Sequence, residues 1–399
     1  MTRDPVDQLA ADLLGRCGIG GTTLRDGPLE PPLASVNFGA SGIAYAMYRL
    51  AVARDDASLL ALADAWGERA ASLANHEKAF AGGKLQASLF HSPSGMHAVR
   101  ALVGLACGRA ERAADAISDF IAASRAPCDL DDLSLGRAGL LVGCAELLEA
   151  ITASTLCDPT TILARGAELR EAIARTVDAG SFATSASLPY LGLAHGWAGL
   201  LFALLRWSRA CGESAERYRA KVDELAPLHE PLGKGIRWPE CNRTVSPPAY
   251  LPGWCHGVAG HTLFWTLAHE RLGGSEYGVL AERSATSAWG ASVDHGTLCC
   301  GLAGIGYACA AAHRVTGDGA WLGRARLAAR FACDDRSASF HRDSLYNGAV
   351  GVVLLHGELG ASSPAAPLVE QPRYPTASRA LRSAMSSSPE ARTLGGGSP

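Results

Sequence analysis

Three cysteines and two histidines stand inside copies of one glycine phrase. Cys255 and His256 lie in GWCHGVAG, Cys299 and Cys300 in TLCCGLAG, and His195 in GLAHGWAG. Thiolates hold zinc well, and three of them with a fourth coordination position open describe a catalytic site, since structural zinc sites are closed. Three thiolates on Zn2+ sum to a charge of about −1, so a fourth thiolate brought by a substrate would have its pKa lowered and still keep strong nucleophilic character. Histidine and carboxylate ligands would leave the metal a stronger Lewis acid, suited to a hydrolytic water. The spacing 255, 299, 300 matches none of the compact zinc-finger patterns, so thiols simply packed in apolar turns are the competing reading. The metal reading needs something that brings Cys255 and Cys299, 44 residues apart, together in space.

An internal repeat does that. A phrase of the form x-G-x-x-G followed by an apolar helical run occurs seven times: FGASG ending at Gly42, HSPSG at Gly95, LGRAG at Gly139, HGWAG at Gly199, HGVAG at Gly260, CGLAG at Gly304 and NGAVG at Gly351. HSPSG is a decayed copy. The intervals of 53, 44, 60, 61, 44 and 47 residues are those of a supersecondary unit that buries its apolar face against its neighbours. Runs after the phrase, such as LLVGCAELLEA and LLFALLRWSRA, are apolar almost all round, which marks helices buried on most sides. Between them lie stretches with one apolar stripe, such as DPTTILARGAELREAIARTVDAG and GDGAWLGRARLAARFAC, suited to an outer layer. The expected fold is all-α: an α/α toroid of seven inner and seven outer helices built from seven helical-hairpin repeats, its glycine turns gathered at one end. An open solenoid of the same hairpins is the alternative.

Composition narrows the function classes. Of 399 residues, 48% are hydrophobic and 19% charged, enough for a large core. A net charge of −3 offers no basic field for nucleic acid or anionic lipid. The first thirty residues carry no signal-peptide pattern and no segment reaches the roughly 18 apolar residues of a membrane span. A cytoplasmic protein with reduced cysteines is expected, most of the twelve, such as Cys107, Cys144 and Cys309, being core residues. Three segments follow: a lead-in helix in 1–34, the toroid in 35–360, and a Pro-, Ser- and Gly-rich tail, 361–399, expected to be mostly disordered. A linker-like stretch, 231–253, is expected as an extended loop walling the site.

The W-C-x-G turn at Cys255 and the C-C-G turn at Cys299 and Cys300, set in these repeats, closely resemble the LanC-like lanthionine synthetase cyclases over roughly residues 35–355. The resemblance implies an α/α toroid with Zn2+ on Cys255, Cys299 and Cys300, in the variant where a cysteine replaces a histidine ligand. The implied reaction is Michael-type addition of cysteine thiols of a precursor peptide to dehydroalanine or dehydrobutyrine, forming (methyl)lanthionine thioether rings. His195, at the A-H-G position, resembles the acid/base residue, and an imidazole of near-neutral pKa suits that proton transfer. Asp132 matches an aspartate that supports this histidine, with adjacent Asp131 and a plain helix N-cap as alternatives. His256 stands where the family has Tyr or His, placed to orient substrate or protonate the enolate.

Two departures matter. Leu251 stands where some members carry an arginine, so the enolate oxyanion needs another donor: Arg137, Arg237 or a backbone N–H at a helix start. In HSPSG, His91 and Ser94 interrupt the usual glycine pattern, and that turn is expected to be structural; His91, His261 and His295 are left out of the site as solvated or core residues. The 34 residues before the first repeat are too short for a kinase, lyase or dehydratase domain, so the peptide would be dehydrated by separate enzymes in trans. Two other functions use the same residues: adding a small thiol such as glutathione to dehydrated residues, or binding a leader peptide or partner enzyme with the metal structural or absent. A glycan-processing α/α barrel wants paired acids at its axis, which Asp131 and Asp132 alone do not supply.

Overall fold

The fold is described from a computed structural model, over residues 5–18, 20–25, 27, 29–80, 86–242, 249–333, 341–361 and 364–370. The helices run α1 (Pro5–Cys17), α2 (Thr22–Arg25), α3 (Ala40–Arg54), α4 (Ala57–Leu73), α5 (Pro93–Ala106), α6 (Ala110–Ser124), α7 (Arg137–Ser154), α8 (Thr160–Ala179), α9 (Trp197–Ala210) and α10 (Arg219–Leu225). After a short antiparallel hairpin, β1 (Glu230–Leu232) and β2 (Gly235–Arg237), come α11 (Val258–Leu272), α12 (Ser275–Trp289), α13 (Leu302–Thr316), α14 (Gly319–Ala332) and α15 (Ala349–Ala361).

Helices α3, α5, α7, α9, α11, α13 and α15 each begin inside a glycine phrase and form the inner ring. Each packs on the next, and α15 packs back on α3, so the ring closes and the open solenoid is excluded. Burial separates the layers: 12 of the 14 residues of α9 are buried against 6 of the 20 in α8. The outer ring is α4, α6, α8, α10, α12, α14 and α1. The lead-in helix expected in 1–34 is thus a structural member of the toroid, packed on α14 and α15 as the seventh outer helix. At the fourth hairpin the outer helix shrinks to the seven residues of α10, flanked by 3-10 turns at Glu216–Tyr218 and Ala226–Leu228, with Pro227 in the second.

The second glycine of each phrase has a steric cause. A Cβ at Gly42, Gly95, Gly139, Gly199, Gly260, Gly304 or Gly351 would stand 1.7–2.3 Å from the carbonyl oxygen six residues earlier, so each turn can lie on its own helix only if that position is bare. The loops in return satisfy the helices' first N–H groups: Arg137 N–H donates to Leu130 O (3.0 Å), Trp197 to Tyr190 O (3.1 Å), Val258 to Leu251 O (3.2 Å) and Leu302 to His295 O (3.0 Å). In HSPSG, Ser92 replaces the first glycine because its backbone is extended, and its Oγ accepts from Ser88 N–H and Ser94 N–H.

The tail boundary at 361 needs correction. Most of 361–399 lies outside the described residues, but 364–370 are buried. This segment touches four inner helices: Arg49 of α3 donates to Ala365 O (2.8 Å), Arg206 of α9 to Val369 O (3.3 Å), Arg314 of α13 to Pro364 O (2.8 Å), and Glu358 of α15 accepts from Ala365 N–H. It therefore lies on the barrel axis, with Leu368 and Val369 at 0% exposure. The arginines are paired as well as capped: Arg49 with Glu358 at 2.5 Å, and Arg206 with Glu146 at 3.0 Å and Glu149 at 2.5 Å. A buried charge without such a partner would be strongly destabilising.

Candidate metal and thiol site

The glycine turns meet at one end of the barrel because their backbones are hydrogen-bonded round the ring. In each turn the two residues before the first glycine, or before Ser92 in the second, occupy equivalent places: Asn37 and Phe38, Phe90 and His91, Ser134 and Leu135, Ala194 and His195, Cys255 and His256, Cys299 and Cys300, Tyr346 and Asn347. Asn37 N–H donates to Phe90 O (3.0 Å), Ser134 to Ala194 O (3.0 Å) and Ala194 to Cys255 O (2.8 Å). The circuit continues from Trp254 N–H to Cys299 O (2.8 Å), Cys299 to Tyr346 O (2.8 Å) and Tyr346 back to Asn37 O (3.3 Å). The second and third turns are joined by side chains, His91 Nε2 lying 3.3 Å from Ser134 Oγ.

This ladder sets Cys255 beside Cys299 and Cys300. The three Sγ atoms lie within 4.8 Å of one another, with Cys255–Cys300 and Cys299–Cys300 both at 3.5 Å. Such closeness needs bare backbone on the facing turn: a Cβ at Gly253 would stand 2.7 Å from the Cα of Cys300, and one at Gly192 2.5 Å from the Cα of His256. Hydrogen bonds from Cys255 and then Cys299 push the Cys300 thiol down to about 3, while its bonds to Cys255 and Cys300 push Cys299 well up. One sulfur ionises at its neighbours' expense, and all three can do so only around a cation. Zinc fits the set. Sulfurs each about 2.3 Å from a common centre in tetrahedral array stand about 3.8 Å apart, close to the spacing here. Cys255, Cys299 and Cys300 are the residues that could hold it.

The histidines gather on the neighbouring turns. His195 Nδ1 lies 3.2 Å from Asp132 Oδ2, and Asp132 Oδ1 accepts from Leu135 N–H at 2.5 Å. Asp131 instead holds Arg137 Nε at 2.5 Å and accepts from Thr176 Oγ1 at 2.6 Å, so of the two carboxylates only Asp132 pairs with His195. The His195 and His256 rings stack at 4.9 Å, and Tyr190 packs on His256 at 5.2 Å. Burial, reinforced by His195, lowers the His256 pKa. Of the loop expected over 231–253, residues 243–248 lie outside the described residues; the chain before them begins as the β1–β2 hairpin and then reaches the site at Glu240, whose N–H and C=O bond Ala249 and Leu191 and whose carboxylate stands 3.8 Å from His256 Nδ1.

Tyr190, Glu240 and His91 also lie among these turns, though none was expected at the site from sequence. His261 is a core residue as expected, fully buried and stacked on Trp238 at 4.4 Å, and His295 is partly exposed beside Asp294 at 2.9 Å. His91 is partly buried, with Nε2 hydrogen-bonded to Asn37 and Ser134. It sits at the same ring place as His195, His256 and Cys300, and burial, then the charge of His195, lowers its pKa to about 4. The available signal was its position in the phrase, obscured by the lost glycine. Leu251 is 37% exposed at the mouth.

A family profile described as "Lanthionine synthetase C-like protein" matches residues 34–371. Among solved structures, nisin cyclase is similar to this chain with a TM-score of 0.65 and 14% sequence identity, over 91% of this chain and 96% of that one. Identity that low speaks for a shared fold, here a helical toroid. The profile spans the whole ring of turns, from the first to the buried segment that closes the barrel axis. The chain belongs to the lanthionine synthetase C-like family.

Proposed function

We propose that this protein is a zinc-dependent lanthipeptide cyclase that adds cysteine thiols of a dehydrated precursor peptide to dehydroalanine or dehydrobutyrine, closing (methyl)lanthionine rings. The observation that supports it is the cluster of three cysteines standing on the turns next to a carboxylate-backed histidine. Zinc on Cys255, Cys299 and Cys300 would supply a cation that lowers the pKa of an incoming thiol. His195, with Nδ1 turned to Asp132, has Nε2 left to take the thiol proton; Asp132 orients the ring and stabilises its cation. As sulfur bonds to the β-carbon, the C=C electron pair moves toward the carbonyl oxygen. A proton then returns to the α-carbon from His195 or His256, so S–H adds across the double bond and nothing is lost. Dehydrating enzymes acting in trans would supply the peptide, in a cytoplasm that keeps the twelve cysteines as free thiols.

The test incubates the purified chain with a dehydrated peptide carrying one free cysteine, then alkylates. Cyclised product resists alkylation without changing mass. An unchanged alkylation yield with zinc present would overturn the reading, and a mass gain on adding glutathione would point to small-thiol addition.

A further inference from the structure

Resting on that reaction, we propose that His91 donates the hydrogen bond that stabilises the enolate oxygen, the role Leu251 leaves open. The donors expected from sequence each make other contacts. Arg137 Nε is held by Asp131, the Arg237 guanidinium lies 3.6 Å over the Tyr250 ring, and the first N–H groups of α7, α9, α11 and α13 go to loop carbonyls.

His91 is held as a donor by a chain of hydrogen bonds across four turns. Asn347 Nδ2 donates to Asn37 Oδ1 (3.2 Å), and Asn37 Nδ2 to His91 Nε2 (3.2 Å), where Ser134 Oγ also approaches at 3.3 Å. An imidazole nitrogen that accepts carries no proton, so the single proton of neutral His91 sits on Nδ1. Burial and the His195 charge keep the ring neutral. A neutral N–H donor accepts no proton from the thiol and so does not compete with His195 as base. It meets the negative charge that develops on the carbonyl oxygen, where one preorganised donor contributes about 10²–10³ in rate. The mouth is thereby divided: turns four to six carry the cysteines and the His195–His256 pair, and turns seven, one, two and three carry an amide and imidazole chain.

The test uses full-length His91→Phe and His91→Gln at matched zinc content and melting temperature. Cyclisation by His91→Phe is expected to be about 10²–10³ slower, with His91→Gln, which keeps an N–H donor, recovering part of the loss, and the rate–pH midpoints unchanged in both. Histidine 15N shifts, assigned with His91→Gln, should show a neutral Nδ1–H ring at pH near 7. A wild-type rate in His91→Phe, a His91→Gln no faster than it, or an Nε2–H or charged ring would each overturn the proposal. If the unmodified protein cyclises nothing, the reaction assigned above fails, while the 15N spectrum still decides the state of His91.

Discussion

Replacing Gly253 with alanine is expected to weaken zinc binding while leaving the toroid folded. The added Cβ would stand 2.7 Å from the Cα of Cys300 and 3.0 Å from the carbonyl oxygen of Cys299. Carbon atoms rest about 3.5–4.0 Å apart, so the fifth and sixth turns must separate by roughly 0.8 Å or more. Metal–ligand distances tolerate only about 0.2 Å. Without metal the turns can spread to relieve the contact; with zinc bound they are drawn back together, and the overpacking cost of about 1–3 kcal/mol falls on the bound state. At tenfold per 1.4 kcal/mol, zinc affinity should drop roughly 5- to 150-fold. Competition with a chromophoric chelator measures it, and Gly323→Ala on α14, whose Cβ would meet nothing within 4 Å, is the control. Unchanged zinc affinity in Gly253→Ala, at a melting temperature equal to that of the parent, would refute the claim that this glycine sets the sulfur spacing.

Cys299→Ala and Cys300→Ala should each lose both bound zinc and cyclisation, read by metal analysis and thiol alkylation; zinc retained at one per chain in either would remove that sulfur from the ligand set. His195→Asn should keep zinc and slow turnover by about 10²–10⁴, and a normal rate would end its assignment as acid/base. Stability should also fall with acid. Burial holds the His261 pKa down at about 3 against about 6.5 unfolded, so between those values the unfolded chain binds the extra proton. The contribution is fully present above about pH 6.5 and is lost on going down toward 3, at up to about 1.4 kcal/mol per pH unit. His91 acts in the same direction. Urea midpoints at pH 7 and 4.5 should diverge less in His261→Phe, which keeps a ring against Trp238, and equal divergence would contradict the argument.

The repeat was legible because its cause is local. Each second glycine lies against a carbonyl only six residues away, so the requirement repeats wherever the turn repeats, whatever the rest of the molecule does. Given a ring, equivalent positions in consecutive turns must be neighbours, and Cys255, Cys299, Cys300, His195 and His256 could be assembled on paper. The decayed second turn hid His91 for the converse reason: Ser92 caps through its side chain, so the landmark glycine was missing while the geometry was kept. Within the segment expected as a tail, Pro364–Glu370 carries little in its composition to mark it as folded, yet it is held by arginines carried on α3, α9 and α13.

By itself the sequence determined the number of turns, the two-layer helical architecture and the residue types at the mouth, all set by steric and periodic rules acting within about one repeat. The tertiary structure alone decided that α1 completes the outer ring, that residues 364–370 fill the axis, and that Asp132 pairs with His195 while Asp131 goes to Arg137. Adjacent carboxylates are chemically alike. Which of them meets an imidazole 63 residues away depends on loop dihedrals and on the neighbouring turn, neither of which leaves a local pattern to read.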